Sequence, residues 1–259
     1  MASVSGTYPF GQPLRSVVQA DRSPKRVFVL GVYSSAVHAR WSSPSGKTLI
    51  AALAVASEPY IFWRGDGAEE TISEIEVPHG AGKLAPAAAQ LNGPSGQALD
   101  DAVLTPLGLT RDEAWLCDLV PHTCLNPRQK AALDREYVPR MGEFGLPAVT
   151  LPPVPKSFAD DERRHEVFDE LIESRAEIVI LLGDEPIKHW LAHFDRRWRK
   201  LADFPEYGRL HEAKLVGWKV HVLPLAHVRQ IGALGAHSPK WFEAHQAWVQ
   251  NTAKKVLGS

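Results

Sequence analysis

Three runs of the chain place polar side chains at the end of an apolar, strand-like segment, where a folded sheet would hold them in fixed positions. Tyr33, Ser34 and Ser35 follow residues 27–30 (VFVL) and Gly31. Asp118 lies near the end of residues 115–120 (WLCDLV), and His227 and Arg229 follow residues 219–223 (KVHVL). Each type has a defined chemistry. An imidazole donates a hydrogen bond to charge developing on a leaving group. A carboxylate orients water, steadies a cation or accepts from an N–H, and Ser and Arg reach phosphate. The alternative for each is structural: a loop His bonded to backbone, a strand-end Asp capping a turn, a Ser pair making one. The chain has no GxxxxGKS/T, HExxH, CxxC, GxGxxG or GxSxG motif. P-loop nucleotide hydrolysis, zincin, Rossmann dehydrogenase and α/β-hydrolase readings therefore lose their main support.

The elements that would position these residues alternate along the chain. Residues 27–30 predict a buried parallel strand turning at Gly31, and residues 45–57 an Ala- and Leu-rich helix. A weak alternation over 71–77 predicts an edge hairpin. Residues 96–107 have helical spacing and stop at Gly108, a carboxyl-terminal cap signal. Residues 115–120 predict a second strand, 127–141 a helix, and 147–155, with four prolines, a rigid connector. An Asp-capped amphipathic helix over 160–175 precedes a third strand at 177–182, with Pro186 in the first turn of the next helix. Residues 219–223 make a fourth strand, whose loop over 224–237 leads to Ser238 and Pro239 opening a closing helix to about Val256. Four strands alternating with helices predict a parallel sheet covered on both faces, with its site outside the carboxyl ends of the strands.

Composition narrows the class. At 259 residues with 44% hydrophobic and 23% charged side chains, the chain predicts an ordinary buried core and a single domain over residues 1–259. Its two cysteines, Cys117 and Cys124, exclude by count a disulfide framework, a four-thiolate zinc site and a four-cysteine iron–sulfur cluster, and point to a reducing cytoplasm. The most apolar stretch, residues 49–56, falls far short of the roughly 20 needed to span a bilayer, and the amino terminus lacks the basic flank and apolar run of a signal peptide. A net charge of -1 argues against wholesale coating of nucleic acid. It leaves room for a local basic patch, and residues 188–200 (KHWLAHFDRRWRK) supply the candidate, the alternative being a solvated helix face.

Residues 93–120, GPSGQALDDAVLTPLGLTRDEAWLCDLV, resemble the helix-to-strand stretch of the iron–sulfur branch of uracil-DNA glycosylases, which reads G-x-A-G-x-x-L-D, then G-L-x-R-E-x, then an aromatic and T-N-V-V. Three shorter pieces follow the superfamily's order. Residues 27–36 (VFVLGVYSSA) occupy the place of its first motif, 178–191 (IVILLGDEPIKHWL) are similar to its VILLGLLGDE-like text, and 220–230 (VHVLPLAHVRQ) resemble the strand ending in His-Pro-Ser. Tyr33 stands where the family often has Asp, Asn or Glu, Asp118 where the base-reading Asn is expected, and Val228 where Pro follows the His; the cluster cysteines are missing. The chain thus resembles a divergent, cluster-free member of the family.

The resemblance implies a three-layer α/β/α sandwich with a central four-stranded parallel sheet. It implies a glycosylase that flips uracil out of DNA and hydrolyses its N-glycosidic bond without metal or other cofactor, as a cytoplasmic monomer with no obligatory protein partner. His227 would donate to the base carbonyl as the leaving base becomes anionic. Asp118 would read the base or else orient water, and Tyr33 would line the pocket or hold a water. Gly31, Ser34, Ser35 and Ser95 would face substrate or phosphate, with Gly93 and Gly96 beside Ser95 at a helix start. Arg229 stands where the family's loop enters the minor groove beside the flipped nucleotide, and would fill the vacated space or grip a phosphate. Phe62, Trp63, Trp41 and Leu91 are candidates for stacking on the base, or else core aromatics and aliphatics. The alternatives are a glycosylase-like module that binds DNA without cleaving it, and a hydrolase of free nucleosides or nucleotides.

Overall fold

The computed structural model describes residues 5–231 and 238–258. The last part of the loop read over 224–237 lies outside the described residues. The protein is mixed α/β, and the chain divides into two compact units: residues 1–17, 33–94 and 121–156 in the first, and 18–32, 95–120 and 157–259 in the second.

Among the described residues the strands are β1 (Val27–Tyr33), β2 (Ala36–Ser42), β3 (Thr48–Ser57), β4 (Lys83–Pro86), β5 (Ala114–Val120), β6 (Ile178–Leu182), β7 (His211–Leu215) and β8 (Trp218–Leu225). The second unit is built on a five-stranded, mostly parallel sheet in the order β5-β1-β6-β8-β7. Apolar runs form β1 and β5 because both faces of these strands are covered. Val27 to Val32 are all buried, as is the whole of β5. β1 pairs parallel with β6 from Val27↔Ile178 to Leu30↔Leu181, and β6 pairs parallel with β8 through Leu182↔Leu225.

The four strands expected from the sequence are all present, and a fifth joins them. β7 returns antiparallel on β8 through a tight turn at Val216 and Gly217, whose φ values of 48° and 84° match the hairpin turn in which both central residues are left-handed. β1 also runs past Gly31 to Tyr33, so Gly31 lies within the strand and the turn begins at Ser34. Helix Asp161–Ser174 is capped by the Asp160 side chain, which accepts from the Arg163 N–H at 2.8 Å. The helical run over 94–107 ends at left-handed Gly108, as its sequence predicts.

The first unit corrects two expectations. The predicted helix over 45–57 is β3, paired antiparallel with β2 in a three-stranded sheet of order β3-β2-β4. Ala and Leu favour helix locally, but Gly46 at φ 85° closes a turn, with Ser43 N–H donating to the Lys47 carbonyl, and sends the chain back along β2. Pairing and burial override propensity. The predicted edge hairpin over 71–77 is instead helix Ala68–Ser73, with Glu69 and Glu70 at its positive end. The alternation there records only buried Ile72 and Ile75. The connector over 147–155 is tied down where Leu125 N–H donates to the Pro152 carbonyl and Val154 N–H to the Leu125 carbonyl. The core of this unit gathers Phe10, Trp41 and Tyr137 in edge-to-face contacts with centroids 5.5 to 5.7 Å apart.

Candidate functional site

In the second unit the ends of β6 and β8 meet at Gly183. Its φ of 92° suits glycine, and a Cβ there would stand 2.9 Å from the His227 Cβ and 3.4 Å from the His227 nitrogen. Gly183 N–H donates to the Leu225 carbonyl at 2.8 Å, closing the two strand ends on each other. His227 is therefore seated at the carboxyl edge of the sheet.

The imidazole of His227 is defined in charge and tautomer. Burial, aided by the positive charge of Arg229, lowers its pKa from 6.5 to about 4, so the ring is neutral near pH 7. The backbone N–H of Arg229 points at Nδ1 at 3.2 Å. An N–H can only donate, so Nδ1 accepts and the single ring proton sits on Nε2. His227 is half-buried and offers that Nε2–H as a neutral donor. Arg229 is exposed, on the short helix Val228–Ile231, and Val228 is buried.

A buried hydrogen-bond relay holds the residue before His227. Ala226 N–H donates to the Tyr207 hydroxyl oxygen at 3.1 Å, the Tyr207 O–H meets His245 Nδ1 at 2.6 Å, and His245 Nε2 meets the Ala102 carbonyl at 2.8 Å. A carbonyl only accepts, so Nε2 carries the His245 proton, Nδ1 accepts, and Tyr207 donates. Every direction in the relay is fixed. Burial lowers the His245 pKa, which keeps the ring neutral, and raises that of the Tyr207 phenol. Trp248 Nε1–H clamps the next residue through the Gly208 carbonyl at 2.8 Å. Tyr207→Phe should strand the Ala226 N–H and His245 Nδ1 together, costing about 1–3 kcal/mol in denaturant unfolding.

Asp118 is buried within β5, at 4% exposure. β5 is an edge strand of the sheet, and unpaired edge carbonyls need partners. Arg163 supplies them, with Nη2 donating to the Asp118 carbonyl at 2.7 Å and Nε to the Leu119 carbonyl at 3.0 Å. Its Nη1 lies 2.9 Å from Glu166 and 3.5 Å from Glu170, and Glu170 also accepts from the Trp115 indole at 3.1 Å. The backbone at Asp118 is thus pinned by a paired, buried cation. Burial pushes the Cys117 thiol far up and Cys124 to about 11, so neither is a ready nucleophile.

Ser95 is half-buried in the first turn of the run over 94–107. Arg111 steadies that turn through Asp100 at 2.7 Å and the Gly96 carbonyl at 3.2 Å. The second unit therefore brings Gly183 against His227 and carries Gly31, Asp118, Ser95 and Arg229.

The other predicted residues belong to the first unit. Tyr33 is half-buried at the end of β1, and the Ser35 carbonyl accepts from the Thr123 hydroxyl. Ser34 is 1% exposed, and among the described residues its hydroxyl has no partner, so as placed it does not reach a phosphate in solvent. Trp63 and Trp41 are core residues and not stacking platforms. Trp63 is 1% exposed, with its indole N–H on the Asp66 carbonyl, and Trp41 is fully buried, with its own on Ala81. Phe62 is buried with left-handed φ of 51°. Gly93, at φ 70°, packs so closely on the turn at Arg64 that a Cβ would stand 2.0 Å from the Arg64 carbonyl carbon.

Sequence reasoning missed Tyr207, His245 and Arg163. A signal existed for one of them: Trp241, His245 and Trp248 recur at helical spacing within Pro239–Asn251, which marks a single face. Among the described residues no cluster of His, Cys, Asp and Glu is placed to hold a metal ion, and no helix is long and apolar enough to cross a membrane. An open cleft of about 320 Å³, lined in part by Phe168, Arg175, Trp218 and His221, lies at the start of β6 and β8, the end of the sheet opposite His227. Ligands of parallel sheets bind at the carboxyl ends, so this cleft is not taken as the site. No protein-family model matches the chain, and no curated protein matches it.

Proposed function

We propose that the protein is a monofunctional DNA glycosylase that takes uracil out of the DNA stack and hydrolyses its N-glycosidic bond, leaving an abasic site. The observation that carries this reading is the neutral, Nε2-protonated His227 at the carboxyl edge of the sheet. As the bond between the sugar C1′ and the base nitrogen breaks, its electron pair moves onto the base and positive charge grows on the sugar. A fixed neutral donor stabilises the base oxygen as it becomes anionic, without first having to lose a proton. Water then adds to C1′ and gives up its proton. Asp118 serves this reaction by accepting the ring N–H of uracil or, in the competing assignment, by orienting the water. Arg229 fills the space left by the extruded nucleotide.

The architecture proposed with this function is a three-layer α/β/α sandwich in which β5, β1, β6 and β8 form the central parallel sheet, within one glycosylase-like domain over residues 1–259. The protein acts as a cytoplasmic monomer on uracil-containing DNA. The resemblance over residues 93–120 and the three shorter pieces supports the choice of uracil.

The test is release of free uracil from an oligonucleotide carrying one deoxyuridine. Release with an intact sugar–phosphate backbone until alkaline treatment is the expected result. Tight binding without release would favour the second reading, a DNA-binding module, for which Tyr33 in place of the family's water-orienting residue is the motive. Binding insensitive to salt would point to free nucleosides instead.

A further inference from the structure

The basic stretch over 188–200, in the second unit, is helical as far as Phe194 and continues as an organised loop. Asp195 within the loop, with Asp184 and Asp203 beside it, spends oxygens on backbone N–H groups. Asp195 accepts from Arg197 and Lys214 at 3.2 Å each, Asp203 from Arg199 at 2.8 Å and Lys200 at 3.1 Å, and Asp184 from Leu201 at 2.7 Å. Trp198 stacks on Phe204 with centroids 4.3 Å apart and planes 8° from parallel, which stiffens the loop further. Of the four cations between residues 196 and 200, Arg197 is paired, with Asp195 at 2.6 Å. Arg196, Arg199 and Lys200 are exposed, and none has an ion-pair partner among the described residues.

The bond from Leu201 to Asp184 decides where these charges stand. Asp184 follows Gly183, and Gly183 abuts His227, so the loop is tied to the same edge of the sheet as the imidazole. A chain with net charge of -1 has concentrated there three cations that lack an ion-pair partner among the described residues. Solubility alone is served by interspersed signs.

We propose that Arg196, Arg199 and Lys200 form a surface that tracks the phosphates of duplex DNA flanking the nucleotide at His227. The choice of DNA as occupant rests on the glycosylase reading. Such contacts supply affinity and register without reading bases, and they leave a measurable mark in salt dependence.

The variant R196Q/R199Q/K200Q removes the three charges while keeping polar stems. With the full chain and a duplex carrying one central deoxyuridine, the slope of log affinity against log salt should shrink by about 2.7, from about 0.9 per phosphate contact. Between about 50 and 150 mM salt the parent should then lose roughly 20-fold more affinity than the variant. Excision from saturating DNA, which reads the site, should be unchanged. Arg196→Gln alone should lower the slope by about 0.9, which guards against misfolding of the triple variant. An unchanged slope with normal excision overturns the proposal and leaves the glycosylase reading standing. A reduced slope with no excision by parent or variant upholds the surface and overturns that reading. An equal reduction on an A-form RNA duplex overturns the assignment to DNA.

Discussion

Replacing His227 with alanine is expected to slow single-turnover uracil excision by about 10²- to 10³-fold while changing DNA affinity little, the scale for losing one donor at a developing oxyanion. The donor is needed mainly when the base becomes anionic, so ground-state binding does not report its loss. Excision at the parent rate would remove His227 from the mechanism. Its pKa of about 4 adds a second expectation. In the proposed mechanism the active form is the neutral ring, so the His227-dependent rate should show no inflection at the ordinary value of 6.5 and should fall only toward about pH 4. A break at 6.5 that disappears in the alanine variant would contradict the neutral-donor assignment. Stability follows the same sign. Between about pH 4 and 6.5 the unfolded chain takes up a proton that folded His227 refuses, so this contribution is complete above 6.5 and is lost as pH falls through that window.

Asp118→Asn separates the two roles proposed for that carboxylate, because it nearly preserves shape while exchanging an acceptor oxygen for an amide donor. Arg163 holds the β5 backbone through the Asp118 and Leu119 carbonyls, so the strand should stay in place. If Asp118 reads the base, uracil affinity should hold or improve, since the new N–H meets the base carbonyl that the carboxylate opposed. If Asp118 orients water, binding should survive while the chemical step falls by about 10² to 10⁴, the range for general-base assistance. We favour base reading, because the strand WLCDLV aligns Asp118 with the position that reads the base in the family it resembles. Product-uracil affinity and single-turnover rate on this one variant decide the matter. No change in either would sink both roles.

What could be read without coordinates was local in its physics. Strands β1, β5 and β6 were legible because a strand covered on both faces carries a nearly unbroken apolar run, and the cap at Gly108 and the Asp160 helix start follow from backbone chemistry within a few residues. β3 was illegible because its Ala- and Leu-rich text satisfies a helix equally well, and pairing with β2 chooses between them. β7 was missed because five residues of weak alternation acquire meaning once β8 lies alongside. At the candidate site, the sequence by itself determined that His227, Arg229 and Asp118 sit at or near strand ends. The tertiary structure alone decided that Gly183 touches His227, that Tyr207 and His245 hold Ala226, and that His227 is neutral with its proton on Nε2. A residue's order along the chain sets which strand carries it. Its protonation is set by burial and by hydrogen-bond geometry, which exist once the chain has folded.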